Sequence, residues 1–390
     1  MIDSAKSLDN AGTLLDLATV EQLRGNTGSG MEFQRAALKQ SRFFSSPICS
    51  SASLKLLVIN APLEIGCNTP VDFLLLNSNI LTISYYMDVE NPVPETLPQH
   101  DLIFVAAPGD DSRYNPYIQS IDHYVSANSF DVINAPDQIM KLDRDILPRV
   151  LGDIEGLVVP DIVRVNHEDL ADRPQDVEVW RRAEKLMQQR FVIRPTASHA
   201  GKGLESLSAA AELPVYLSNN QASEYFVSEF VDYRSSDGQF RKYRIIFVDG
   251  KAYPYHLAIG SSWKLWYMNA EMGASKYKLS EEADFLKSFD DDFRARHMNA
   301  LDALCGAIGL DYFGIDCAED AAGNLVVFEA DNALIVHDMD AVGKFSFKEE
   351  PCANLFVAFQ EMLFRKAGKD VGSIPGEATS INTRDHNLPA

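Results

Sequence analysis

Three short apolar runs, Leu54 to Asn60, Leu81 to Tyr85 and Leu102 to Ala107, most narrow what this chain can fold into. An antiparallel strand with one wet face alternates apolar and polar residues, whereas these runs are nearly continuous. They therefore read as strands buried on both faces of a parallel sheet. Thr69 to Leu76 and Pro116 to Ala127 have helical spacing and supply crossovers, giving a small βαβ domain over about 51 to 135. Asn134-Ala135-Pro136-Asp137 is a turn-rich boundary behind it.

The segments on either side differ in pattern. Residues 1 to 50 read as one or two amphipathic helices interrupted by Gly25-Asn26-Thr27-Gly28-Ser29-Gly30, a packing or dimerisation extension. Downstream, Gln138 to Leu151 and Glu178 to Gln189 are helical in pattern. Arg190 to Arg194, Tyr225 to Val231 and Tyr243 to Val248 read as strands, the last turning at Asp249-Gly250 into Ala252 to Ala258. A helix over Phe293 to Ile308 precedes a hairpin, Gly314 to Ala318 and Leu325 to Glu329, turning at Gly323-Asn324. A last helix runs from Asn354 to Lys366, and 368 to 390 is a polar, turn-rich tail.

Composition removes several function classes. With 35 Lys and Arg against 56 Asp and Glu the net charge is −21, so broad attachment to nucleic acid or an anionic membrane is not expected, although a local cationic pocket is compatible. No apolar stretch approaches the roughly 20 residues of a membrane helix. Met1 to Leu15 lacks the basic and apolar blocks of a secretory signal, so the cytoplasm is the expected location. The five cysteines, Cys49, Cys67, Cys305, Cys317 and Cys352, form no Cys-x-x-Cys pair and read as reduced thiols rather than a zinc site.

Two stretches point to chemistry. Phe191 to Pro195 is a strand ending in a cation and opening into a small-residue loop that contains Gly201-Lys202-Gly203. Backbone N–H groups in such a loop can fold over phosphates, with Arg194 and Lys202 adding charge. The same pattern is also an ordinary surface turn. In the later hairpin, Glu329 and Asp331 are two apart on a strand and so share a face, with Asp316 on the partner strand. Three clustered carboxylates repel, and an oxygen-only set favours magnesium or manganese. A solvated acidic hairpin is the other reading, and the apolar neighbours Phe313, Ile315, Val326, Val327 and Phe328 weigh against it.

Taken in order, Ile139-Met140-Lys141, Arg194 to Gly203, Phe226 to Val231, Lys242-Tyr243-Arg244 and the acidic hairpin resemble the ATP-grasp superfamily, the group containing D-alanine:D-alanine ligase and glutathione synthetase. The resemblance covers about 51 to 367. It implies an α/β and α+β fold in which a nucleotide is clamped between two α+β lobes behind an N-terminal βαβ domain. The implied division is a helical extension 1–50, an α/β domain 51–135, a small lobe 136–215, a large lobe with the metal site 216–367 and a flexible tail 368–390.

By the same resemblance Lys141 and Arg194 contact the nucleotide phosphates, and the loop with His199, Gly201, Lys202 and Gly203 closes over them. Glu229, Phe230 and Val231 form the adenine hinge, and Asp232 or Asp237 holds the ribose. Arg244 meets the γ-phosphate or an acyl phosphate, and Asp316, Glu329 and Asp331 hold two magnesium ions, with Asn332 as the ligand if the strand is bulged. Arg194 stands where the family has lysine and Asp331 where it has asparagine. The acceptor region reads less clearly: His256 and Lys264 could bind a carboxylate or acyl phosphate beside Trp263, Trp266 and Tyr267, or this stretch is ordinary loop packing.

The implied activity is ATP-dependent carboxylate-amine ligation through an acyl phosphate, releasing ADP and phosphate. The implied partners are small-molecule or peptide acids and amines, with a homodimer as a mild expectation. An ATP-binding scaffold without turnover and a hydroxyl phosphotransferase are the alternatives.

Overall fold

A computed structural model of the chain describes residues 10–46, 52–87, 97–128, 130–171, 177–196, 198, 201–339 and 343–370. Cys49, His199 and the expected tail from 371 onward lie outside these residues. Two helices, α1 (Ala11–Leu23) and α2 (Thr27–Gln40), form an N-terminal hairpin. The break between them is shorter than the Gly25–Gly30 hexapeptide suggests, because Gly28 and Gly30 are helical. At Gly30 the missing side chain admits the other helix: a Cβ there would lie 2.4 Å from Gln22 Cγ and 2.8 Å from the Ala18 carbonyl oxygen.

The first sheet has the order β1 (Phe43–Ser45), β3 (Ile80–Tyr86), β2 (Leu54–Asn60), β4 (Leu102–Val105), β5 (Val132–Ile133). All pairs are parallel except β1 with β3. Leu54, Leu56, Leu57, Phe104 and Val105 are fully buried, as a strand covered on both faces requires. The short strand β6 (Leu157–Val158) then departs for the third sheet. The second sheet is antiparallel, in the order β7 (Ile162–Asn166), β10 (Glu224–Glu229), β8 (Phe191–Pro195), β9 (Glu205–Leu207). Because β10 pairs on both sides within this sheet, the division drawn at residue 215 falls inside it rather than between two sheets.

In the third sheet β11 (Phe240–Val248), β12 (Lys251–Gly260), β13 (Tyr312–Glu319) and β14 (Leu325–Asp331) are antiparallel in the order β12-β11-β13-β14, with β6 parallel on the outer edge. The C-terminal helix Glu349–Lys366 packs between the first and third sheets. Its fully buried Phe359 meets Phe104 at 5.7 Å and Tyr312 at 5.1 Å between ring centroids. The buried Asn134 side chain adds a polar clip, donating to the Tyr312 carbonyl at 2.7 Å and accepting from its amide at 2.9 Å. The helical stretch expected over 138–151 is broken into Pro136–Ile139, a 3-10 turn at Met140–Leu142 and Leu147–Leu151.

Candidate active site

A cleft of about 580 Å³ opens between the second and third sheets, and a loop of the first sheet, Glu64 to Cys67, forms part of its wall. Its floor is a row fixed by register. Arg244 lies opposite His256 on one side and Asp316 on the other, and Asp316 lies opposite Glu329. Side chains directly opposite on adjacent strands share a face, so four polar groups stand side by side. Lys242 and Asp331, each two residues along, join the same face. Phe328 is an extra residue in β14, because Asp316 pairs with Glu329 while Cys317 pairs with Val327.

The acids of this row are held by cations. Arg244 donates to Asp316 through Nε at 2.8 Å and Nη2 at 3.1 Å, and Lys242 Nζ approaches Asp316 Oδ2 at 2.7 Å. Burial alone would raise the Asp316 carboxyl, but Arg244 and Lys242 outweigh it and hold the group well below the usual carboxylate range. Arg144 Nη2 reaches Glu329 Oε2 at 2.5 Å and Asp110 Oδ2 at 3.3 Å. Glu329 is likewise lowered, Arg144 overcoming its burial. Asp331 differs. It accepts a hydrogen bond from the Ala333 amide at 2.8 Å and forms no ion pair among the described residues, and burial with the nearby Asp110 and Glu329 charges raises its carboxyl well above the ordinary value.

The roof comes from the second sheet. Arg194 on β8 donates to Ser198 and forms no ion pair among the described residues. Burial and the charge of Arg144 lower its guanidinium to about 10. Such a cation favours an incoming anion. Gly201 lies beside it, and a Cβ there would stand 3.2 Å from Trp266 and 3.4 Å from Lys264, so the loop from β12 meets the glycine loop across the cleft. Gly203 adopts φ +66° with its Cβ position 2.7 Å from Pro195, a place only glycine fits comfortably. Along one side run Val159, Pro160, Val192, Phe226 and Glu229 to Val231. Arg190 stacks over Phe230 at 3.7 Å, fixing that ring at the edge.

His256 is buried on the floor, its ring 4.6 Å from that of Tyr267. Burial first, then Arg244, Lys348 and Lys242, hold the imidazole well below its usual range, so it is neutral near pH 7. Tyr267 is fixed from behind: its hydroxyl donates to Glu282 Oε2 at 3.0 Å and accepts from Lys348 Nζ at 2.5 Å.

Several of the residues singled out in the sequence lie elsewhere. Lys141 points away, donating to the carbonyls of Ala307 at 2.9 Å and Ile308 at 3.3 Å at the end of the helix Phe293–Ile308. The helix break after Leu142 sends Arg144, three residues on, into the cleft in its place. Lys202 is exposed at the loop tip. Asp237 is exposed and bound to Arg241 at 2.8 Å, and Asp232 to Arg234 at 2.8 Å, both outside the cleft wall. Asn332 is fully buried, donating to the Ala107 carbonyl at 2.9 Å, so Asp331 and not Asn332 faces the cleft. Sequence reasoning passed over Arg144, Asp110 and the wall Glu64 to Cys67. Lys242 carried a signal, being two residues from Arg244 on one strand.

The oxygen donors suit a hard divalent cation, and the partly buried, unpaired Asp331 beside Asp110 and Glu329 is a group such a cation would satisfy. In this arrangement, among the described residues, no three such side chains are gathered to hold one, because Asp316 and Glu329 are drawn to Arg244, Lys242 and Arg144. Among the described residues no helix is long and apolar enough to cross a membrane.

No family model matches the sequence, and no curated protein matches it. The fold is similar to those of solved ATP-grasp ligases. D-alanine–D-alanine ligase from Bacillus anthracis complexed with ATP is 13% identical, with 82% of this chain and 99% of that chain covered at a TM-score of 0.47. The ATP-grasp ligase PsnB complexed with precursor peptide PsnA2 and AMPPNP is 14% identical, with 81% and 100% covered at 0.42. A RimK domain protein from Sphaerobacter thermophilus DSM 20745 is 13% identical, with 78% and 98% covered at 0.45.

Proposed function

We propose that this chain is an ATP-dependent carboxylate-amine ligase of the ATP-grasp type, working through an acyl phosphate. The observation that carries the reading is the unneutralised Arg194 facing Arg144 above a row of paired acids and bases, a cleft charged for a polyphosphate on one side and for a carboxylate on the other. In this reading adenine lies against Phe226, Phe230 and Val231, and the amides around Gly201 and Gly203 with Arg194 and Arg144 receive the phosphates. Asp331, with Asp316 and Glu329 once their cations turn to substrate, would hold magnesium or manganese, which would supply positive charge. Arg244 and Lys242 take the substrate carboxylate and then the acyl phosphate. The neutral His256 donates or accepts one hydrogen bond there, and Lys202 at the loop tip covers the phosphates.

The chemistry balances. The carboxylate oxygen attacks the γ-phosphorus, ADP leaves, and an amine nitrogen displaces phosphate from the acyl carbon with loss of a proton. A carboxylate is a poor electrophile, and phosphorylation supplies the leaving group. Catalysis of such transfers is mainly positioning and electrostatics, which a row of fixed cations provides.

A module that binds ATP without turnover is the second reading, favoured by one observation: Asp316 and Glu329 are both occupied by ion pairs. Turnover of magnesium-ATP with pooled amino acids and small carboxylates separates the readings. ADP with a new amide mass, both lost in Asp316→Asn, supports the ligase; ATP binding with no product in any pool supports the module. AMP and pyrophosphate would sink the acyl-phosphate route, and a stable phosphorylated product would mean a hydroxyl acceptor.

A further inference from the structure

The N-terminal hairpin is the part of the chain that the ligase reading leaves without a role. Its two buried glutamines, Gln22 and Gln34, reach out of it. Gln22 Oε1 accepts from the Ile65 amide at 2.8 Å, and Gln34 Nε2 donates to the Leu63 carbonyl at 2.9 Å. Burying an amide is unfavourable unless it is bonded, and a helix pair that merely packed would place apolar residues there. These two bonds seize the backbone of one loop at two points.

That loop is held on its other sides as well. Asn68 closes its base by bonding both the amide of Ala61 at 2.9 Å and its carbonyl at 3.0 Å. The Thr69 hydroxyl donates to the Asn332 carbonyl at 2.8 Å, next to Asp331. Gly66, at φ +84°, lies against Ile335, its Cβ position 3.3 Å from Ile335 Cδ1. The tip of the loop, Glu64 to Cys67, faces the cleft. Ile65 and Ile335 both line it while 48% and 45% exposed, two large apolar side chains kept in water at the mouth of a polar site. Two apolar side chains set side by side at the edge of a charged cleft can receive a nonpolar group.

We propose that the hairpin is a specificity element: through Gln22 and Gln34 it fixes the Leu63–Cys67 loop against Ile335, and the resulting nonpolar wall receives a nonpolar side chain of the amino-acid substrate. The wall's role rests on the ligase reading; the hairpin's grip on the loop does not.

Cys67 on this loop reports the grip directly. It is partly exposed, whereas Cys305, Cys317 and Cys352 are buried, and burial pushes its thiol up to about 11, so the fixed loop should label slowly. In a Cys49→Ser background, Gln22→Met and Gln34→Met keep side-chain length and remove the bonds, while Gln22→Glu keeps an oxygen acceptor for the Ile65 amide. We expect labelling of Cys67 by a small maleimide to rise tenfold or more in Gln22→Met/Gln34→Met, and to stay at the parental rate in Gln22→Glu. Should the double variant lose its cooperative melt, Gln34→Met alone is read in the same way.

Turnover supplies the second readout. With ATP and a carboxylate pool, the parent is expected to prefer a pool of leucine, isoleucine, valine and phenylalanine over one of serine, asparagine and glycine. The Met variant should lose at least fivefold of that preference with KM for ATP unchanged. Parental labelling in the Met variant overturns the grip, and a polar preference in the parent overturns the wall. A parent that releases no ADP with any pool, yet shows the labelling change, sinks the ligase reading and the wall while leaving the grip established.

Discussion

Arg194 forms no ion pair among the described residues, and burial with the charge of Arg144 lowers its guanidinium to about 10. A base whose folded value falls below its unfolded value destabilises the fold wherever it is charged, and the cost fades as pH rises through about 10. Arg194→Met should therefore raise Tm by about 2 °C or more at pH 7, and lower affinity for ATP at least about tenfold, since a charge-assisted phosphate contact is lost. Calorimetric titration and a melt check both, and a variant that loses stability and keeps ATP affinity would refute the anion site. Arg194 was legible because a strand end fixes where its side chain goes. Asp316, Glu329 and Asp331 were legible as one face because Asp316 pairs with Glu329 and the bulge at Phe328 falls before the regular two-residue step from Glu329 to Asp331. Lys141 was not, since no local signal announced that the helix would break two residues later and exchange it for Arg144.

That break gathers charge between elements. At it, Asp143 is buried and meets Arg164 of β7 at 2.7 Å, with Asp145 at 3.2 Å and Asp111 at 3.7 Å from the same guanidinium. Burial, then Asp145, then Asp111 push the Asp143 carboxyl up to about 8, Arg164 opposing. An acid raised on folding holds a proton that the unfolded chain releases, so its contribution is greatest below about pH 4 and is lost as pH climbs towards 8. Asp143→Asn should flatten the fall of Tm across that window and leave the variant the more stable at pH 8; an unchanged profile would refute the raised Asp143 carboxyl. The helix Lys276–Ser288 was missed altogether, because one of its buried positions is Glu282, which breaks the apolar stripe that marks a helix. Glu282 is fully buried and paired with Lys348 at 3.0 Å. Removing one member of a buried pair costs about 3–5 kcal/mol, whereas replacing both by apolar residues is often neutral. Lys348→Met should accordingly unfold at markedly lower urea than Glu282→Leu/Lys348→Met, a cycle that would fail if the pair were solvated.

At the scale of the molecule, the apolar interior is shared unequally. The first and third sheets are fused through common cores, with Phe104, Tyr312 and Phe359 in mutual ring contact. The second sheet has its own core, built on Val163, Phe191, Ile193, Tyr225 and Val227. It meets the rest through polar contacts such as Arg164 with Asp143 and Lys264 with Glu205. Polar contacts are exchanged for water at little net cost, while a shared core is not. The cleft therefore lies along the seam that opens most easily. Phe359→Ala tests this partition. Emptying the site should cost about 3–5 kcal/mol, and because one ring serves two sheets, hydrogen exchange should rise together in β4 and β13. Strand β8 should keep its protection, since its core does not include Phe359. Exchange that rose in β13 alone would mean the first sheet stands by itself. A rise in β8 of the same size would mean that the seam is no seam, and that the chain opens only by unfolding as a whole.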